Sequence, residues 1–415
     1  KKKFSRKKIF VFLGAVLLLT LLLVAYWYFM LRTSSNSKSG SSQTTTKSAQ
    51  VAKKKVERMV WVKDKEVWVK EEGKEPEKIF SETRRILSWD VVAQGNLVYV
   101  DATEKNKDEI YGTELISLDL SNLKKTTLFA KSLEQIDKEM PQKEPCWSDD
   151  ADISYPKFSV DGKYLAFASL GLKIMDVKTK KIVNEIGSSS FKSGDGNLNC
   201  LSYGNIRWFS KNVIEIMVGR WESADIYLVD LSDKSILATH TTGYEYVRRL
   251  TLEPKTLILN SLGSAFDVAS DSARTKIGEA KSKYSVELKN TIYQSKENSI
   301  DLEVVDNNKV YFFERESSTD NKNHKITLKS LDIATNSVAT LKVLSDKKNS
   351  DSAPYPTCSL VKGDKIYYQL QENSVTTLSN FDFTSKQIGT VATITRNNKD
   401  DYYSGVNGCF AFTAF

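Results

Sequence analysis

The chain is short of the residues on which most metal and nucleophile chemistry depends. Its 415 residues include two histidines, His240 and His324, and its four cysteines, Cys146, Cys200, Cys358 and Cys409, form no Cys-x-x-Cys pair. Structural zinc sites draw on such close-set pairs, so no metal or other cofactor is expected. Each histidine is expected at the surface or at a strand edge. No Gly-x-Ser-x-Gly pentapeptide occurs, and the nearest Ser-Gly tract, GSSSFKSGDG, has the composition of a loop. A serine nucleophile exposed on a strand–turn–helix elbow is therefore not expected. Acidic residues are missing from the first 55 positions, which carry twelve Lys or Arg. Subtracting twelve from the net charge of +8 leaves −4 for the rest. The basic character belongs to one end, and a nucleic-acid role for the larger part loses its support.

Charge is also missing between Lys8 and Arg32, where 23 residues read IFVFLGAVLLLTLLLVAYWYFML. A helix of that length reaches ~34 Å, enough for a hydrocarbon core of ~30 Å. Tyr26, Trp27, Tyr28 and Phe29 gather at its far end, where aromatic rings favour the membrane interface. The basic residues 1–8 place the amino terminus in the cytoplasm by the positive-inside tendency. A cleaved signal peptide is the alternative, but its apolar region is usually ~7–15 residues, and the best cleavage site here is a poor LVA ending at Ala25. The expected layout is a cytoplasmic tail (1–8), a signal-anchor helix (9–31), a Ser/Thr/Lys-rich flexible stalk (32–55) and an extracytoplasmic domain (56–415).

Helical periodicity is scarce after Val56, and period-2 alternation takes its place. The stretch YPKFSVDGKYLAFASLGLKIMDVKTKKIVNEI, Tyr155 to Ile186, holds four short strands, with a tight turn at Asp161-Gly162 and an aspartate, Asp176, ending the third strand. That third strand and its acid recur at Asp119, Asp230, Asp267, Asp332 and Asp382, with Glu71 in a weaker copy. Seven copies of a four-stranded unit at irregular spacing predict an all-β fold, a seven-bladed β-propeller. One four-stranded sheet cannot cover both of its apolar faces, whereas a ring of such sheets covers all of them. The acids and the Asp-Gly turn are expected to be structural, glycine supplying the positive φ of a hairpin bend.

The first copy lacks an incoming strand, and the chain's last residues, CFAFTAF, form an apolar strand without a following partner. Residues Cys409 to Phe415 are therefore expected to supply the missing inner strand and close the ring without an exposed edge. Closure there leaves no length for a second domain. Cysteines 146 and 200, and 358 and 409, each stand about one blade apart, just before or at the start of an inner strand. Of the three possible connectivities this favours Cys146–Cys200 and Cys358–Cys409, in keeping with an oxidising compartment.

The stretch YPKFSVDGKYLAFAS, with Pro156, Phe158, Ser159, Asp161, Gly162 and Lys163, resembles a blade of the TolB-type propellers. It is similar too to the amino-terminal propellers of dipeptidyl-peptidase-like and prolyl-oligopeptidase-like enzymes, with Val160 where their pattern has a second proline. The resemblance implies a fold and says little of function.

Candidate carboxylates for glycosidase chemistry are Asp149, Asp150, Asp152, Asp400 and Asp401, all expected to be solvated loop acids. Asp195, Asn197 and Asn199 alternate like calcium ligands, but Cys200 stands where the required glycine would be, and no late glutamate follows. Aromatics near the connections into inner strands form the candidate binding face: Trp147, Tyr203, Tyr244, Tyr246, Tyr355, Tyr402 and Tyr403. The alternative for each is packing between long loops. The expectation is a membrane-anchored, non-catalytic scaffold that binds protein partners of a bacterial cell envelope. Carbohydrate binding or processing, and a surface adhesin or receptor component, are the alternatives.

Overall fold

The computed structural model describes residues 56–106, 109–139, 151–187, 190–191, 202–219, 224–242, 245–262, 275–295, 299–306, 308–318, 322–350, 352, 354–395 and 409–415. Among them no helix is long and apolar enough to cross a membrane. The expected tail, span and stalk (1–8, 9–31 and 32–55) lie outside the described residues.

Seven four-stranded antiparallel sheets make up the fold. Blade 1 holds β1 (Glu57–Lys63), β2 (Glu66–Glu71) and β3 (Glu77–Ser81). Blade 2 holds β4 (Ile86–Val92), β5 (Asn96–Glu104), β6 (Ile110–Asp119) and β7 (Lys124–Ala130), followed by a helix, α1 (Leu133–Glu139). Blade 3 comprises β8 (Ser154–Phe158), β9 (Tyr164–Ala168), β10 (Gly171–Asp176) and β11 (Lys181–Gly187). In blade 4 stand β12 (Ser202–Trp208), β13 (Val213–Gly219), β14 (Ala224–Asp230) and β15 (Ser235–Thr242). Blade 5 is β16 (Glu245–Thr251), β17 (Leu257–Leu262), β18 (Lys276–Ala280) and β19 (Leu288–Gln294). Blade 6 is β20 (Ser299–Asp306), β21 (Lys309–Ser317), β22 (His324–Asp332) and β23 (Val338–Lys347). Blade 7 contains β24 (Tyr355–Lys362), β25 (Lys365–Glu372), β26 (Val375–Asp382) and β27 (Ile388–Thr395). The last strand, β28 (Ala411–Ala414), returns to pair with β1, so blade 1 reads β28-β1-β2-β3.

Inner strands of successive blades neighbour one another, β28 on β4, β4 on β8, β8 on β12, β16 on β20 and β20 on β24, which orders the sheets as a ring. The middle strands show why the sequence takes this form. In β5, Leu97 and Tyr99 pack toward blade 1 while Val98 and Val100 pack toward blade 3. In β21, Val310 and Phe312 face blade 5, and Tyr311 and Phe313 face blade 7. A strand covered on both faces has no polar side, so it becomes a continuous apolar run. Each such side chain contributes roughly 1.5–3 kcal/mol by leaving water.

The closing strand is clasped from both sides. Its register on β1 runs from Glu57 opposite Ala414 to Val60 opposite Ala411. The Thr413 hydroxyl donates to the Val92 carbonyl at 2.7 Å, and the Ala414 N–H to the Ala93 carbonyl at 3.1 Å. Arg58 lies over the Phe415 ring, 4.4 Å from its centroid. The disulfide Cys358–Cys409, with Cα atoms 5.4 Å apart, ties the inner strand of blade 7 to the start of this closure. Cys146 and Cys200 lie outside the described residues.

The recurring acids end their third strands as expected. Oδ1 of Asp119, Asp176, Asp230, Asp332 and Asp382 each accepts a backbone N–H two or three residues on, at 2.7–2.9 Å. The residue four positions after each, Leu123, Lys180, Lys234, Asn336 and Lys386, has φ between 57° and 62°. One turn is thus built five times. Asp161 caps its own turn through the Lys163 N–H at 3.1 Å, with Gly162 at φ +69°.

Blade 5 departs from the expectation. Asp267 lies outside the described residues, and the third strand is β18, where Glu279 pairs with Leu257 as Asp176 pairs with Tyr164. A longer connection, held by the Lys281 N–H to the Glu287 carbonyl at 2.9 Å, replaces the capped turn there. The capping aspartate has no place in it.

Candidate functional site

Antiparallel order gives the ring two different faces. One carries the Asp-capped turns and the first turns of the blades, and the chain enters the ring there at Val56, which exchanges backbone hydrogen bonds with Phe415. The other carries the blade-to-blade connections and the turns between second and third strands.

Tyr355 opens β24 on this connection face and is 38% exposed, as a binding residue needs to be. Tyr155 stands at the corresponding place in β8, is 46% exposed, and also precedes a buried proline. It was not among the expected residues, although the shared Tyr-Pro dipeptide was there to find. Tyr203 does not share this exposure. Only 4% exposed, it meets Phe191 edge to face, 5.9 Å between centroids, within the apolar seam of blades 3 and 4. Its role there is packing, because the ring is drawn between blades rather than over a loop. Tyr246 lies in β16 opposite Ser261. Trp147, Tyr244, Tyr402 and Tyr403 lie outside the described residues.

Of the candidate acids, Asp152 is buried and accepts the Gly112 N–H at 3.0 Å, which fastens the approach to blade 3 onto blade 2. Asp149, Asp150, Asp195, Asn197, Asn199, Asp400 and Asp401 lie outside the described residues. His240 sits in β15, and His324 opens β22, buried, its Nδ1 3.2 Å from the Ser317 hydroxyl. Among the described residues no three His, Cys, Asp or Glu side chains gather in a metal-holding arrangement.

On the same face the seam between blades 6 and 7 opens into a groove of about 930 Å³, lined in part by Pro354, the residue before Tyr355. One wall is Leu344 and Ser345 of β23, and the other is Tyr368, Leu370, Thr377 and Ser379 of blade 7. Pro354 and the β25–β26 turn bound it at the connection face. Lys347 bridges the two blades there, its Nζ 2.6 and 2.8 Å from the two Glu372 carboxylate oxygens. At the groove's floor, burial pushes the Tyr368 phenol up to about 12, so it stays a neutral hydroxyl. The volume falls in the range of ligand sites, and hydroxyls over aliphatic walls suit recognition rather than bond-breaking.

The seam between blades 4 and 5 is polar where the others described are lined by apolar clusters. Arg249, 1% exposed, donates to Glu215 at 3.0 Å and to the Tyr284 carbonyl at 3.0 Å. Arg207 donates to the carbonyls of Arg249 and Leu250 at 2.8 and 3.0 Å. Burial raises the Glu215 carboxyl, against the pull of Arg249, Arg207 and Arg248. The terminal guanidinium nitrogens are thus engaged by backbone and carboxylate partners within the seam, while Arg249 Nε is buried without a hydrogen-bond partner among the described residues.

No protein-family model matches the chain, and no curated protein matches its sequence. Solved structures do match. A prolyl endopeptidase superposes with a TM-score of 0.51 at 9% identity, over 83% of this chain and 51% of that one. An oligogalacturonate lyase in complex with manganese gives 0.50 at 10% identity, over 83% and 85%. The β-propeller domain of the Trilobed protease from Pyrococcus furiosus gives 0.45 at 12% identity, over 77% and 85%. The chain spans about half the length of the prolyl endopeptidase it matches. At these identities the likeness is one of fold: the domain is a seven-bladed β-propeller similar to those carried by prolyl-endopeptidase-type proteins.

Proposed function

We propose that the chain is a membrane-anchored, extracytoplasmic β-propeller that binds a protein partner of the cell envelope and catalyses no reaction. The observation that carries this is the open groove between blades 6 and 7, on the connection face that also carries the exposed Tyr355, opposite the chain's entry at Val56. Tethered through residues 9–31, such a ring offers that face to a partner. An exposed aromatic is a usual anchor for such a contact. Ser374→Trp would fill the groove, and Val160→Glu alters the opposite face, where Val160 is 85% exposed. Chemical crosslinking of the full chain in its native envelope should yield partner adducts that Ser374→Trp loses and Val160→Glu keeps. An adduct profile identical in all three proteins would overturn the reading.

A second reading, carbohydrate binding, rests on one observation. Trp61 and Trp68 stack in parallel, 6.4 Å between centroids, beside a second groove of about 510 Å³ between blades 7 and 1. Trp61 is buried, so the Trp68 indole, with Lys63, Glu75 and Thr395 around the groove, is the face that suits a sugar ring. A glycan array that scores with the full chain and fails with Trp68→Ala would favour it over the first.

A further inference from the structure

The connection from blade 1 to blade 2, residues 82–85, is held on the ring by charge. The buried Glu82 carboxylate accepts the Tyr99 hydroxyl, Lys125 Nζ at 2.8 Å and the Thr83 N–H at 3.1 Å. Arg84 reaches Asp101 at 2.7 Å, Glu114 at 2.6 Å and the Thr103 hydroxyl at 2.8 Å. Backbone bonds fasten the same connection to blade 1, from the Glu82 N–H to the Lys65 carbonyl at 2.8 Å and from the Ile86 N–H to the Asp64 carbonyl at 3.1 Å. What holds residues 82–85 therefore holds blade 1 against blade 2.

The charges in this seam do not balance. Three carboxylates, Glu82 from the connection, Asp101 from β5 and Glu114 from β6, face two cations, Arg84 from the connection and Lys125 from β7. Asp101 is placed worst, because it is 2% exposed and its second oxygen, Oδ1, is buried without a hydrogen-bond partner among the described residues. A buried carboxylate short of partners relieves its desolvation by taking a proton.

We propose that Asp101 is a proton-operated clasp: proton uptake by Asp101 in mild acid tightens the docking of residues 82–85 on blade 2, and proton loss toward neutral pH loosens it. Burial is the main force on this carboxyl. Arg84 offsets it in part, Glu82 and Glu114 add repulsion, and the result is a carboxyl pushed up to about 6. Glu82 behaves otherwise: burial acts to raise it, but Lys125, Tyr99 and the Thr83 N–H together hold it below its ordinary value. The two acids thus carry different charges near pH 5, Glu82 ionised and Asp101 neutral, which takes one negative charge out of the unbalanced seam.

The sign follows from linkage. The unfolded value of an aspartate is about 3.9, so the folded state binds this proton more tightly. Stability from the bound proton is present in acid and lost as pH rises through about 6. Asp101 is buried under the docked connection, and undocking that exposes it to water returns it toward the unfolded value. Between pH 7 and pH 5 this one group should therefore favour the docked state by up to about tenfold.

Hydrogen–deuterium exchange on the intact chain, corrected for the intrinsic pH effect, tests the clasp. Amides of residues 82–85 and 99–103 should be up to about tenfold better protected at pH 5 than at pH 7. Asp101→Asn should abolish that dependence, and Glu114→Gln, which removes a neighbouring charge, should move the midpoint to lower pH. An equal pH dependence in wild type and Asp101→Asn, or none in wild type, would overturn the proposal. If Asp101→Asn fails to fold, the wild-type midpoint decides, near pH 6 for the clasp and near pH 4 against it.

Discussion

Replacing Cys358 and Cys409 together by alanine removes the covalent half of the ring closure and leaves the other half, β28 on β1, in place. The two cysteines are 51 positions apart. Freeing a loop of that length gives the unfolded chain entropy worth roughly 4 kcal/mol at 25 °C. Alanine is preferred at position 358 because that side chain is buried against Met59, Trp61 and Phe410, where a hydroxyl would add its own desolvation cost. A domain of this size has an unfolding entropy that converts roughly 4 kcal/mol into a fall of about 5 °C in melting temperature. Calorimetry of the oxidised wild type and the double variant reads the difference, and dithiothreitol added to the wild type should lower the melting temperature by at least as much. A shift below about 1 °C would refute the reasoning, because the pairing of β28 with β1 would then hold the ring without help from the loop constraint.

Arg249→Ala strands Glu215 in a dry seam and should cost about 3–5 kcal/mol in denaturant titration, whereas Arg249→Met with Glu215→Leu should cost much less. Asp176→Ala removes the acceptor of its turn and should lower the urea midpoint measurably. Its carboxyl, like those of Asp119, Asp332 and Asp382, is held below the ordinary range, by turn N–H and hydroxyl donors. Their stabilisation is present at neutral pH and lost as pH falls through their lowered values, so Asp176→Asn should flatten part of the acid melting curve below about pH 4. Leu123 adopts φ 59° at an exposed turn position where blade 6 has Asn336. Leu123→Asn should raise stability by up to about 1 kcal/mol, read as a shift in urea midpoint.

Much of the fold stood in the sequence because a blade is a local object. Tyr164 to Ala168 forms the strand expected of it, and the acids at Asp119, Asp176, Asp230, Asp332 and Asp382 cap one recurring turn. Closure by the last strand followed from the incomplete first blade, and Cys358–Cys409 followed from closure. Blade 5 was misjudged because Asp267 follows an apolar pair, as the other strand-ending acids do, while the third strand of that sheet is Lys276–Ala280 and has no capped turn. The site was much less legible. A groove between blades is assembled from β23 and β25 to β26, and no local pattern records how far two sheets splay. Exposure of an aromatic is likewise decided by its neighbours: Tyr203 is enclosed with Phe191 in the apolar seam of blades 3 and 4, and Tyr355 stands 38% exposed. The unbalanced seam at Asp101 is legible only once Arg84, Glu114 and Lys125 are brought together from four elements.

The central claim is that the face bearing Tyr355 binds a protein. A photoreactive benzophenone side chain in place of Tyr355, in the full chain expressed in its own envelope, puts the probe on the connection face, next in sequence to the groove-lining Pro354, and the same group at Val160 samples the opposite face. The account predicts a discrete protein adduct on irradiation from position 355 and none from position 160. Silence at position 355, or the same adducts from both positions, would contradict it.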